Sequence, residues 1–268
     1  MVRVFLLGVT WVRWLIKIGT SNLCRADGRL DEARIADFSG QLARLYYAGH
    51  QLLLVSSGAV GAGIGEVGRR PRTVQEKQAL AAVGQARLIH AWRMNLGKIV
   101  VAQILLTSRD LLLPEGRTKS ARTLEQLIAW GILPIINEND TVADEEIRIG
   151  DNDTLAARVA CLMKADRLVL LSDVDGLYTK NPRRHGDAEK IDRVPWVTEA
   201  FLQIAEGAGD WGTGGMLTKL AAVRICQEER IPTVVANGQT EAVLQQIADG
   251  NPQCGTWFTA TPGEAVRL

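Results

Sequence analysis

The chain has 268 residues and a mass of 29.2 kDa, room for one large α/β domain or two small ones. Its 47% hydrophobic content supports a sizeable core and excludes a disordered chain. A formal charge of +1 and a pI of about 7.7 give none of the basic surplus that nucleic acid demands, so no nucleic-acid partner is expected.

From Met1 to Ile16 the sequence is apolar with Arg3 near the start, a faint likeness to a secretion signal. Arg13 and Lys17 interrupt it, no small-residue cleavage site follows, and it is too short and charged to span a bilayer. Residues 1–13 are therefore read as an unassigned extension, and 14–268 as a single domain with no membrane segment. The cysteines, Cys24, Cys161, Cys226 and Cys254, form no CxxC pair. That argues against a disulfide framework or a zinc site, and for reduced thiols in a cytoplasmic protein.

Strands are predicted at 13–18, 51–56, 99–106, 132–136, 167–172 and 233–236, and helices near 31–47, 74–95, 118–130, 153–163, 215–229 and 240–248. Asp31 suits the N-cap of the first helix, and Gly49 lies just past its end. Runs such as Leu52-Leu53-Leu54-Val55 and Leu168-Val169-Leu170-Leu171 are continuously apolar, as parallel strands covered on both faces must be. The alternation predicts a mainly parallel sheet with helices on both sides, an α/β fold. Residues 179–193, charged and holding Pro182 and Gly186, read as a surface loop or hairpin. In open sheets of this kind ligands bind beyond the carboxyl ends of the strands, so the turns there carry the candidate chemistry.

The first such turn follows Lys17, in Lys17-Ile18-Gly19-Thr20-Ser21. A second lysine, Lys219, closes Gly212-Thr213-Gly214-Gly215-Met216-Leu217-Thr218-Lys219 at a helix start. Glycines let backbone N–H groups approach phosphate oxygens and a lysine adds mobile positive charge, so two such turns suggest a polyphosphate site. After strand 51–56, Ser57-Gly58-Ala59 can present a hydroxyl and N–H groups to an anion, or can be a turn needed only for packing. Gly63-x-Gly65-x-x-Gly68 matches the dinucleotide fingerprint in form, but lies well past the strand end and lacks the downstream acidic residue.

Strand 132–136 runs into Asn137-Glu138-Asn139-Asp140-Thr141. A short ladder at 146–149 then leads to Gly150-Asp151-Asn152-Asp153-Thr154. Either cluster alone can be a turn or a cap. Together they offer carboxylates for a substrate ammonium or for lysines, and amides for a carboxylate; neither has calcium-loop spacing. Strand 167–172 ends in Ser172-Asp173-Val174-Asp175-Gly176-Leu177-Tyr178, a polar tip that suits a ribose or base or a plain turn. There is no Walker loop and no HRD or DFG motif, and His50, His90 and His185 read as structural.

These segments, with Gln78 to Gln85, keep the order in which they occur in glutamate 5-kinases of the amino acid kinase superfamily, which the chain resembles from about residue 14 to about 260. The resemblance implies an αβα sandwich, with the amino acid bound towards the N-terminal half and ATP, with Mg²⁺, towards the C-terminal half. It implies that Ser57, Asp140 and Asn152 bind glutamate, and that Ser172, Asp173 and the run Thr213, Gly214, Gly215, Met216, Leu217, Thr218 and Lys219 bind nucleotide. Lys17 and Lys219 then stabilise phosphate, and Asp153 orients them. Phosphorylation of the L-glutamate side chain, the opening step of proline synthesis, is the implied activity. A homo-oligomer is implied, and glutamyl phosphate reductase as recipient of the product. The C-terminal PUA domain usual in that family has no counterpart up to Leu268, and Trp11 and Trp14 match nothing in it. A sister kinase for another small acid or a nucleoside monophosphate, a non-catalytic amino-acid sensor, and an NAD oxidoreductase are the competing readings.

Overall fold

A computed structural model describes residues 12–142, 151–182, 184–207 and 215–261. The expected ladder at 146–149, Gly150, Thr213, Gly214 and residues 1–11 of the expected extension lie outside the described residues. In chain order the elements are β1 (Arg13–Ile18), α1 (Thr20–Leu23), α2 (Glu32–Tyr47), β2 (Gln51–Ser56), α3 (Ala59–Val67), α4 (Val74–Asn95) and β3 (Val101–Leu106). Next come α5 (Ser108–Leu112), α6 (Pro114–Ala129), β4 (Leu133–Glu138), α7 (Asn152–Leu162) and β5 (Arg167–Ser172). The chain continues through β6 (Leu177–Tyr178), β7 (Lys190–Ile191), β8 (Arg193–Val194), α8 (Glu199–Gly207), α9 (Met216–Glu228), β9 (Thr233–Asn237), α10 (Val243–Ala248) and β10 (Thr256–Phe258).

Helix starts follow local chemistry. The Asp31 carboxylate accepts from the N–H groups of Ala33 and Arg34, so α2 begins where the sequence placed its cap, and Gly49 past its end sits at φ +92°. Thr73 caps α4 by accepting from the Glu76 N–H at 3.1 Å, while the Glu76 carboxylate accepts from the Arg72 N–H at 2.6 Å. The helix expected at 118–130 is α6, begun four residues earlier, and a short helix, α5, that the sequence reading did not expect precedes it. Asp110 holds Thr107 by its N–H and hydroxyl, both at 2.7 Å, to start α5, and Pro114 at the first position of α6 restarts the helix.

Eight strands form one sheet in the order β3-β4-β2-β1-β5-β9-β10-β8, parallel throughout except where β10 runs antiparallel to β9. Alternation along the strands separates two cores. Trp14, Ile16, Ile18, Leu52 and Leu54 pack towards α2, α4 and α10. Leu15, Leu53, Val55, Leu168 and Leu170 pack towards α7, α8 and α9. The result is the expected three-layer αβα sandwich. β6 and β7 pair antiparallel, so the segment read as a loop or hairpin is a hairpin.

The expected turn is at Ser57 and Gly58, and from Ala59 the glycine-rich run is helical as α3. Gly63 faces α4 so closely that a Cβ there would fall 2.0 Å from the Leu80 carbonyl oxygen, and one at Gly84 would fall 1.8 Å from that of Ala59. Helix–helix contact accounts for Gly63 and Gly84, and a dinucleotide turn is ruled out because Gly63 and Gly65 lie inside α3 and not in a strand-to-helix turn.

Candidate active site

β1 occupies the middle of the sheet, with Val55 of β2 and Leu170 of β5 on either side of Lys17. Being two residues from Leu15, Lys17 points to the α7–α9 side. Its Nζ lies 2.6 Å from Oδ1 of Asp153 in the first turn of α7. Lys219, in the first turn of α9, reaches Oδ2 of the same carboxylate at 3.1 Å, and the Thr218 hydroxyl donates to Oδ2 at 3.0 Å. Side chains far apart in sequence thus converge on one carboxylate.

All three charged groups are buried: residue exposure is 7% at Lys17, 4% at Lys219 and 1% at Asp153. Burial pushes the Asp153 carboxyl up, but the ammonium groups of Lys17 and Lys219 outweigh it and hold the group below the usual carboxylate range. Two buried ammonium groups share this carboxylate in a dry setting. Stability does not explain such an arrangement, because desolvation costs several kcal/mol per ion. The N-termini of α7 and α9 add the positive ends of their dipoles. Asp151 caps α7, accepting from the Thr154 N–H at 2.8 Å. Burial raises its carboxyl, partly offset by that bond.

Turns complete the surroundings. A Cβ at Gly19 would sit 3.2 Å from Lys17 Nζ, so the turn after β1 leaves room for the ammonium group. The Ser57 N–H donates to the Ile18 carbonyl at 3.0 Å, and Gly58 at φ +105° turns the chain from β2 into α3. Asn152 Nδ2 donates to Ser57 Oγ at 2.8 Å and to Asn137 Oδ1 at 3.0 Å, joining α7 to the ends of β2 and β4. Asn137 was named within its polar cluster but given no individual role, although its place at the tip of an apolar strand was the available signal. Asp140 lies half-buried in the turn after β4.

Ser172 is buried at the end of β5, its hydroxyl 3.4 Å from Asp173 Oδ1. Its carbonyl accepts from the Gly238 N–H at 2.8 Å and from Asn22 Nδ2 at 3.0 Å, tying the turn after β1 to the ends of β5 and β9. A Cβ at Gly238 would fall 2.3 Å from Asn22 Oδ1. Nothing in the sequence singles out Asn22, which sits among other small polar residues. In the second lysine turn, Gly215 caps α9 and accepts the Thr218 hydroxyl at 2.8 Å, Met216 is buried and Leu217 exposed. Among the described residues no group of three or more His, Cys, Asp or Glu is placed to hold a metal ion, and no helix is long and apolar enough to cross a membrane.

The profile of the amino acid kinase family matches residues 12–237. A glutamate 5-kinase of Symbiobacterium thermophilum is 49% identical over 92% of this chain and 95% of its own length. Those of Clostridium tetani and Caldanaerobacter subterraneus are 43% and 44% identical over 92% of the chain, covering 94% and 68% of their own lengths. Among solved structures, carbamate kinase from Giardia lamblia bound to AMP-PNP matches with a TM-score of 0.65 at 16% identity, over 94% of this chain and 99% of that one. UMP kinase from Bacillus anthracis matches with a TM-score of 0.63 at 15% identity, over 96% and 99%. The fold is shared with those kinases of other substrates, and the sequence is shared with the enzymes that phosphorylate glutamate: the chain belongs to the amino acid kinase family, on its glutamate 5-kinase branch.

Proposed function

We propose that the chain transfers the γ-phosphoryl group of MgATP to the side-chain carboxylate of L-glutamate, giving L-glutamyl 5-phosphate and ADP, the opening reaction of proline synthesis. The observation that carries the reading is the pair of buried ammonium groups, Lys17 and Lys219, held on Asp153 beside the Ser57–Asn152 contact. Glutamate's side-chain carboxylate, with an ordinary pKa of about 4.3, is already ionised at neutral pH and attacks without a general base. The obstacle is the approach of one anion to another and the charge that develops in transfer. The positive charge of the lysine pair answers it, with the helix N-termini of α7 and α9 adding fixed dipoles.

Asp153 keeps two like charges together in one buried place, which sets their spacing before substrate arrives. Ser57 and Asn152 present a hydroxyl and an amide to the α-carboxylate of glutamate, and Asp140 presents a carboxylate to its ammonium group. Ser172, Asp173 and the run from Thr213 to Lys219 take the nucleotide. Sister kinases for other acids are disfavoured, because the relatives at 43–49% identity are glutamate 5-kinases while the UMP and carbamate kinases stand at 15–16%. The test is an ATP-dependent hydroxylamine trap with glutamate, aspartate, N-acetylglutamate and carbamate offered separately. Hydroxamate is expected from glutamate alone. Trapped product from another acid, or none from any, would end the assignment.

A further inference from the structure

β2 is apolar from Leu52 to Val55 and then ends in Ser56, a hydroxyl that is fully buried. Burying a hydroxyl is unfavourable unless it is hydrogen-bonded. Here the partner comes from α4: the indole N–H of Trp92, also fully buried, donates to Ser56 Oγ at 3.0 Å. The Ser56 hydroxyl in turn donates to the Ser57 carbonyl oxygen at 3.0 Å. Core packing does not impose a partner on an indole, since Trp14 in the same cluster leaves its own N–H without one.

With that bond, Ser57 is held at every polar atom. Its N–H donates to the Ile18 carbonyl at 3.0 Å, its carbonyl accepts from Ser56, and its Oγ accepts from Asn152 Nδ2 at 2.8 Å. Because Oγ accepts from the amide, the Ser57 hydroxyl proton is left to donate elsewhere. The Ser57 carbonyl and the Gly58 N–H belong to one planar trans peptide and point in opposite directions. Fixing the carbonyl therefore aims the Gly58 N–H away from Ser56 and Trp92, and among the described residues that N–H has no acceptor. At φ +105° Gly58 leaves the turn conformationally free, so its orientation depends on such outside bonds.

We propose that Trp92 is a positioning residue for glutamate: through Ser56 it locks the Ser57–Gly58 peptide, so that the Ser57 hydroxyl and the Gly58 N–H both face the α-carboxylate. Trp92 acts through these groups and touches no ligand itself. The inference rests on the proposed binding of glutamate at Ser57 and Asn152. Donors fixed beforehand lose little freedom when the anion arrives, so the relay is felt as affinity. It is felt on one side only, because β2 and β5, which carries Ser172, flank β1 on opposite sides.

Trp92→Phe keeps an aromatic ring and removes the indole N–H. In the full chain, KM for glutamate should rise about five- to tenfold, the scale of one hydrogen bond, while KM for ATP moves by less than about twofold. Ser56→Ala cuts the relay at its middle and should give the same split, with the double variant no worse than either alone. Calorimetric titration with glutamate and no nucleotide should weaken equally, and that arm needs no turnover. Equal rises in both KM values, or a lower Tm with glutamate affinity unchanged, overturn the relay and leave Trp92 a core residue. If wild type phosphorylates glutamate and the variants match it, the relay falls and the kinase reading stands. A wild type that neither binds nor phosphorylates glutamate ends both. Should neither variant fold, the wild-type protein decides by NMR. The Trp92 indole N–H resonance is expected to shift when glutamate is added, and a resonance that stays in place overturns the relay.

Discussion

Asp153 holds two ammonium groups on its two oxygens, and that balance can be tested one side chain at a time. Lys17→Ala or Lys219→Ala should lower kcat by about 10²–10³, the scale of removing one donor that stabilises the transition state. Steady-state rates with both substrates saturating measure it, and near wild-type turnover in either variant would remove that lysine from the chemistry. Asp153→Asn removes the carboxylate that both buried ammonium groups share and should destabilise the fold by about 3–5 kcal/mol at neutral pH. The carboxyl is held below its ordinary range in the folded chain, so its contribution is complete above about pH 4 and fades as pH falls through the lower folded value. Denaturation midpoints between about pH 3 and 7 should therefore show wild type and variant far apart at neutrality and converging in acid. A gap that does not change with pH would mean that the carboxylate charge is not what stabilises.

Helices α3 and α4 show how an element can be present where propensity argues against it. Gly61, Gly63 and Gly65 make a poor helix, yet the close approach of α4 rewards bare backbone at Gly63 and Gly84. Gly84→Ala puts a methyl 1.8 Å from the Ala59 carbonyl oxygen, and neither backbone can yield easily. It should destabilise by at least about 1–3 kcal/mol despite alanine's better helix propensity. Gly65→Ala meets nothing within 4 Å and should be neutral or stabilising by up to about 1 kcal/mol. Urea denaturation of the two variants decides it; equal effects would dismiss the close packing as the reason for these glycines.

Across the whole molecule, the order of strands reverses at β1: β2, β4 and β3 lie to one side, β5 and β9 to the other. Turns from both directions then open over the same crevice, where ligands of open α/β sheets bind. Lys17 comes from β1 and Asp153 and Lys219 from the first turns of α7 and α9, so ligand and fold are linked. MgATP at about 100 times its Kd should add about 2.7 kcal/mol of stability, a rise of several degrees in Tm. The same nucleotide should move the Tm of Lys219→Ala less. An identical rise in that variant would place the nucleotide elsewhere.

Continuous apolar runs and Asp31 determined by themselves the parallel sheet and the start of α2, because strand burial and helix capping act within a few residues. Lys17 and Lys219 were legible from their glycine-bearing turns, and the resemblance to a family picked Ser57, Asn152 and Asp153 out of polar clusters that the residues alone left open. What one turn says to another was not legible. The roles of Asn22, Asn137 and Gly84 depend on contacts between segments distant in sequence. Only the packed sheet and its two helical layers decided those, since side-chain hydrogen bonds and steric limits act over a few ångströms of space and carry no trace in the spacing of residues along the chain.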